Sequence, residues 1–268
     1  MFLMERHPEY NEICFCVSQC LIIWPLSWPV PEEISSKNAV VPCANPRLVY
    51  CKFFADHHVT GLYSVDEVES VNGALIAKTA KIGKNATIFP GVYIGGEVVI
   101  GDDCFIGAGV KILGRVRIGN HVQIRENTVI GADGMTTERD EEGHPVTMPQ
   151  LGGIIIEDDV QIGANAVILR GAIDDTILHR ACKIDSLVLV SHNVSVGEES
   201  FVIAVTHLFG SSSVGRQAQV SGGCVVGNRV HIGDRSLLGM GSVANKEIPE
   251  NTIAYGNPAK PKRQRYET

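Results

Sequence analysis

Basic residues are in the minority: Lys and Arg number 23 against 30 Asp and Glu, for a formal net charge of −7 and an isoelectric point near 5.7. That balance excludes a general basic surface, so nucleic acid is not an expected partner. No CxxC pair occurs, and the eight cysteines (14, 16, 20, 43, 51, 104, 182 and 224) lack the spacing of a disulfide-rich secreted domain. Reduced thiols in a cytoplasmic protein follow, with Cys14, Cys16 and Cys20 read as buried small residues rather than a soft metal site. No metal centre is expected, since His121, His144, His207 and His231 do not form a clear ligand set. A membrane span is lacking too. Ile13 to Val30 carries no charged side chain, but Pro25, Pro29, Ser18, Gln19 and Ser27 interrupt it and Glu5, Glu9 and Glu12 lead into it.

What the chain does have is a six-residue period. Isoleucine stands at 82, 88, 94, 100, 106, 112, 118, 124 and 130, with glycine directly after it at 83, 95, 101, 107, 119 and 131. Such a period fits neither an α-helix nor simple strand alternation. It fits a coil of three short flat faces, eighteen residues per turn, with the aliphatic residue inward on each face and glycine tolerating the bends. The ladder resumes at Ile156, Ile162 and Ile168, bulges through Gly171 to Asp175, and runs from Leu178 to Leu238. The predicted architecture is mainly β: a parallel β-helix over 77–248 of about seven turns, or on the order of 35 Å of prism. A polar excursion over 132–153 leaves and rejoins it. Its charged run, Glu138 to Glu142, reads as a solvated face. Residues 1–76 show no sustained period and read as a small α/β region, with one helix predicted over Pro46 to His57. Residues 249–268 form a basic tail.

The eighteen-residue coil also acts as a ruler. It places Gly210 one turn above His192, roughly 4.8 Å along the axis. A histidine beside an unhindered glycine amide is what acyl transfer needs: a base for the nucleophile's proton and a donor for the oxyanion. Asp185, one hexad plus one residue before His192, is the candidate to hold the other imidazole nitrogen. No serine or cysteine nucleophile is needed with an activated thioester, so Ser191 is read as structural. Spacing alone leaves His192 open to the plainer reading of a surface residue.

Several stretches resemble the UDP-3-O-acylglucosamine N-acyltransferases of lipid A synthesis, within the hexapeptide-repeat acyltransferases. They are QLGGIIIEDDVQIGANAVILRGAIDDT, KIDSLVLVSHNVSVGEES and IGDRSLLGMGSVANKEI, with VIGADG at 129–134 and NPRLVYCKF at 45–53. The resemblance implies a left-handed coil and a homotrimer with active sites between neighbouring prisms. It assigns the general base to His192, its partner to Asp185 and the oxyanion donor to Gly210. It further implies a nucleotide-linked amino sugar as acceptor, with Ser186, Asn193 and Arg229 on the substrate side, and an acyl thioester of carrier protein or CoA as co-substrate, with no resident cofactor.

The chain departs from the family pattern at several points. Ser186 stands where asparagine is usual, Arg229 replaces a second histidine, and Met135 and Thr136 replace an aromatic pair. The N-terminal nucleotide-binding region looks short, and the helical C-terminal extension that the family uses with its acyl-carrier protein is absent. The closing GNPAKPKRQ is similar instead to the tail of acetyl-CoA-dependent hexapeptide acyltransferases, which makes Lys260, Lys262 and Arg263 candidates for donor phosphates or an acidic carrier protein. The expected outcome is retained proton-transfer chemistry with altered specificity. Two alternatives stay open: an acetyl-CoA-dependent sugar O-acetyltransferase, and a non-catalytic β-helix that only binds.

Overall fold

The computed structural model describes residues 12–56 and 67–265, so the last residue of the predicted helix, His57, lies outside them. The described residues form two compact units, one of residues up to 56 together with 135–149, the other of residues 67–134 together with 150–265.

The larger unit is a left-handed parallel β-helix. Its strands, mostly two or three residues long, stack into three sheets of ten, eight and ten strands. The first sheet holds Leu189–Val190, the second Ser195–Val196 and the third Lys183–Ile184, so successive hexads visit the three faces in turn. Pairing is in register: Ile94, Ile112, Ile130, Ile168, Val190, Leu208 and Val226 form one column of the first sheet. All seven are fully buried, and each contributes about 1.5–3 kcal/mol by leaving water. The hexad aliphatic residues are therefore the core, and the period exists because each strand sends one side chain inward per face.

The coil extends further at both ends than the isoleucine ladder. Ala74–Ala77 already pairs with Tyr93–Ile94, and Thr252–Tyr255 continues the third sheet. The shortest sheet, at eight strands, exceeds the seven turns expected. The basic tail is also more ordered than a tail. Lys260–Gln264 pairs antiparallel with Thr252–Tyr255, and Arg265 donates to Ser236 O at 2.7 Å and Gln219 Oε1 at 3.3 Å, closing the end of the third sheet.

Glycine's role at the corners differs from the one expected. Left-handed backbone recurs there at non-glycine residues, among them His121, Ala181, Leu187 and Val205 with φ between 57° and 60°. Gly83, Gly101, Gly107 and Gly119, each after an isoleucine, serve clearance instead: a Cβ on Gly101 would lie 2.6 Å from Gly119 O in the next coil. Coils 4.8 Å apart leave no room for a side chain pointing along the axis.

Two insertions break the ladder on the first sheet. Ile130 pairs with Ile168, 38 residues on, and Ile168 with Val190, 22 residues on, against eighteen for a regular coil. The surplus of twenty is the excursion, and the surplus of four is the bulge at 171–175.

In the smaller unit, Leu21–Pro25 and Ala39–Cys43 form a parallel pair, with Ile22, Ile23 and Trp24 buried, and a helix spans Pro46–Asp56. The excursion supplies an antiparallel hairpin, Thr137–Arg139 with Pro145–Thr147. Its charged run is not simply solvated: Glu138 pairs with Arg47 at 3.4 Å and Glu141 with Lys52 at 2.6 Å. Among the described residues no helix is long and apolar enough to cross a membrane.

All eight cysteines are free thiols, and Cys14, Cys51, Cys104, Cys182 and Cys224 are buried. Burial pushes the Cys182 thiol up to about 12, so at pH 8 it holds almost no reactive thiolate. Titration of the native protein with an aromatic disulfide at pH 8 is expected to count no more than Cys16, Cys20 and Cys43 quickly, and all eight after denaturation. Rapid native modification of Cys182 would contradict this packing.

Candidate active site

His192 follows the first-sheet strand Leu189–Val190 and sits at the prism edge between the first and second sheets. Its ring is half-buried and lies directly over Gly210: a Cβ at that glycine would be 2.5 Å from both Cε1 and Nε2 of the imidazole. The eighteen-residue ruler therefore places these two residues together. On another side the ring packs against Gly134, whose Cβ would be 3.1 Å from His192 Cδ2 and 3.4 Å from Oε1 of the buried Gln150.

The Gly210 amide has no acceptor among the described residues, whereas its neighbours do: Phe209 N donates to Val226 O and Ser211 N to His192 O. Corner amides in other coils are taken by aspartates. Lys84 N donates to Asp102, Asn120 N to Asp158 and Arg216 N to Asp234, at 2.6–2.8 Å. At Gly210 no such carboxylate takes the amide, which leaves an unengaged N–H beside the imidazole.

Asp185 has the structural version of this job. It follows the third-sheet strand Lys183–Ile184, one prism edge away from His192. Its carboxylate accepts from Ser186 N at 2.7 Å and Ala204 N at 3.2 Å, and within one chain it does not pair with His192. Within the chain, seven residues of separation cross a corner, and a corner carries the side chain to a different edge.

Asn193 takes the place expected of Asp185. His192 Nδ1 and Asn193 Oδ1 are 3.0 Å apart. The orientation of that amide is set independently, because Oδ1 also accepts from Ala172 N at 3.0 Å while Nδ2 donates to Asp174 O at 2.8 Å. An acceptor oxygen opposite Nδ1 requires the proton there, leaving the lone pair on Nε2, the nitrogen over Gly210. Asn193 therefore sets the tautomer, and its side chain engages both the bulge and the histidine. Its φ of 59° suits asparagine. Removing the acceptor in Asn193→Ala is expected to lower turnover on the order of tenfold, with Asn193→Asp closer to wild type. Equal turnover in all three would show that the tautomer is set elsewhere.

The other predicted residues are dispersed. Ser186 Oγ accepts from Ala164 N at 3.2 Å on the coil below. Arg229 is exposed one coil above Gly210, and its backbone N–H donates to Gly210 O at 3.1 Å. Lys260, Lys262 and Arg263 are exposed on the closing strand of the third sheet, where Lys262 lies 5.0 Å from the centre of the Tyr255 ring. That strand is not adjacent to the His192 edge of the same chain. Among the described residues no group of three or more metal-ligating side chains occurs. The residues missed from sequence were Gly134 and Gln150, the first and last of the larger unit around the excursion. The signal for Gly134 was present in the ADG at 132–134.

A parallel β-helix built from hexads points to the hexapeptide-repeat acyltransferases. The family model described as bacterial transferase hexapeptide (six repeats) matches residues 79–114 and 97–132, and the hexapeptide repeat of succinyl-transferase matches 153–173. A UDP-3-O-acylglucosamine N-acyltransferase of Coxiella burnetii is 33% identical over 240 residues, covering 79% of this chain and 67% of that protein. One from Methylobacterium nodulans is 38% identical over 147 residues, 55% of this chain and 42% of its own length. Among solved structures, a UDP-N-acetylglucosamine acyltransferase of Bacteroides fragilis aligns with TM-score 0.67 and 29% identity over 73% of this chain and 74% of that one. That of Campylobacter jejuni gives 0.66 and 20%, covering 72% and 74%, and bears on the fold alone. The chain belongs to the UDP-3-O-acylglucosamine N-acyltransferase family, and it is an acyltransferase.

Proposed function

We propose that this protein moves an acyl group from a thioester of acyl-carrier protein or CoA to the amino group of a nucleotide-linked amino sugar, in cytoplasmic synthesis of a lipid A-type glycolipid or surface polysaccharide. The observation that carries the proposal is His192 Nε2 held over the unengaged Gly210 amide. The sugar amine attacks the thioester carbonyl while Nε2 takes its proton. The carbonyl oxygen, now negative, receives the Gly210 N–H. Collapse breaks the carbon–sulfur bond, and the departing thiolate takes the proton from the imidazolium, leaving amide and free thiol. Asn193 is neutral, so it orients the ring through Nδ1 without adding the charge of a carboxylate partner. A trimer would place a neighbouring prism beside this edge and supply the remaining walls for both substrates.

Acceptor and donor are tested together by offering acetyl-CoA, longer acyl-CoAs and acyl-carrier thioesters with UDP- and dTDP-amino sugars and measuring product mass. An alkali-stable amide supports the proposal. An alkali-labile ester would move the assignment to O-acyl transfer, and no acyl product or calorimetric binding with any pair would leave a binding β-helix.

A further inference from the structure

Arg170 is the largest fully buried side chain in the described structure, 1% exposed. Burying a guanidinium costs several kcal/mol unless it is held in place by partners, so its position requires a reason. It follows the strand Val167–Leu169, and register puts it on the prism edge of His192, one coil below: Ile168 pairs with Val190, and the next residues, Gly171 and Asn193, also face each other.

The chain makes room for this side chain at two sites. Gly114 has φ 68°, and a Cβ there would lie 2.6 Å from a terminal guanidinium nitrogen of Arg170. The first sheet shifts register between Ile130 and Ala132, displacing Gly131, where φ is 92° and a Cβ would collide with Leu113 O. Two contacts that hold the guanidinium use Nε, which donates to Gly131 O at 2.9 Å and lies 3.1 Å from Asp133 Oδ1. The Arg170 backbone N–H donates to Ala132 O at 3.0 Å. One residue thus clamps three successive positions, 131 to 133, and the next, Gly134, is the wall against the imidazole of His192.

We infer that Arg170 is a positioning residue for the acyl transfer proposed above: with Asp133 it locks the 131–134 segment and so holds the His192 ring over Gly210. Asn193 sets the ring's tautomer from the bulge side, and Arg170 sets its place from the excursion side. The excursion root meets the imidazole through Gly134 and the bulge holds Asn193, so both breaks in the hexad ladder bear on the His192 ring.

Arg170→Lys removes Nε while keeping a cation. Asp133→Asn keeps the shape of a residue that is 37% exposed, so it tests the same clamp at little risk to folding. Turnover and KM for both substrates are measured, together with the nitrogen-15 resonances of His192 in selectively labelled protein. In wild type the two ring nitrogens are expected to be widely split, as for one tautomer. Both variants are expected to lose on the order of 10- to 100-fold in kcat, with KM changed less than about twofold, and to show the two resonances drawn together as the ring moves. Unchanged resonances in both variants would overturn the inference, whether activity is kept or is lost with thermal stability. The resonances are read without substrate, so a wild type inactive with every donor would count against the proposed reaction and leave this inference to be judged on the spectra.

Discussion

Gly210→Ala is expected to lower kcat by on the order of 100-fold while leaving the coil intact. The added Cβ would sit 2.5 Å from Cε1 and Nε2 of His192, a distance no real contact tolerates, so the imidazole must move by about an ångström, and a displacement of that size in a reacting group costs roughly that much. Backbone strain does not contribute, because Gly210 is outside the left-handed region. Its amide remains, but the methyl group stands between it and the reacting carbonyl. Circular dichroism and thermal unfolding are expected to match wild type, which separates this effect from misfolding. A kcat within about threefold of wild type would mean that the ring does not work from this position.

His192→Ala is expected to cost between about 10² and 10⁴ in kcat, the range for a positioned general base. The ring is half-buried at a prism edge and is no part of the inward ladder, so the coil loses little packing. The hydrogen bond from Ser211 N to the His192 carbonyl is made by backbone and survives. His192→Gln is expected to behave the same way, because an amide of similar size cannot take the proton. Full turnover in either variant would refute the mechanism.

Most of the fold could be read directly from spacing. The inward aliphatic residues announce the strands of the ladder itself, since a two-residue strand on a flat face has one inward position and the coil repeats it every six residues. The same arithmetic found His192 over Gly210, because stacked coils convert a sequence separation of eighteen into contact. It says less about Asp185, where the separation of seven crosses a corner and, within one chain, sets the carboxylate on a different edge from the imidazole. A sequence signal for the hydrogen bonds Asp185 makes within the chain did exist: Asp102, Asp158 and Asp234 also stand within two residues of an inward isoleucine and accept from corner amides. Asn193 and Arg170 were harder. Their contacts run to the excursion root and the bulge, where the period breaks and the ruler has no value. The basic tail looked free because lysine and arginine say nothing about pairing, yet Arg265 is fixed by Ser236 O and the strand before it completes a sheet.

The account rests on one imidazole moving one proton in acyl transfer. The most direct measurement is product mass from wild type and His192→Ala side by side, with an acyl-carrier or CoA thioester and a UDP-linked amino sugar. The prediction is an alkali-stable acyl adduct on the sugar from wild type and, at equal enzyme and time, at most about one-hundredth as much from the variant. Equal product from both would contradict the account.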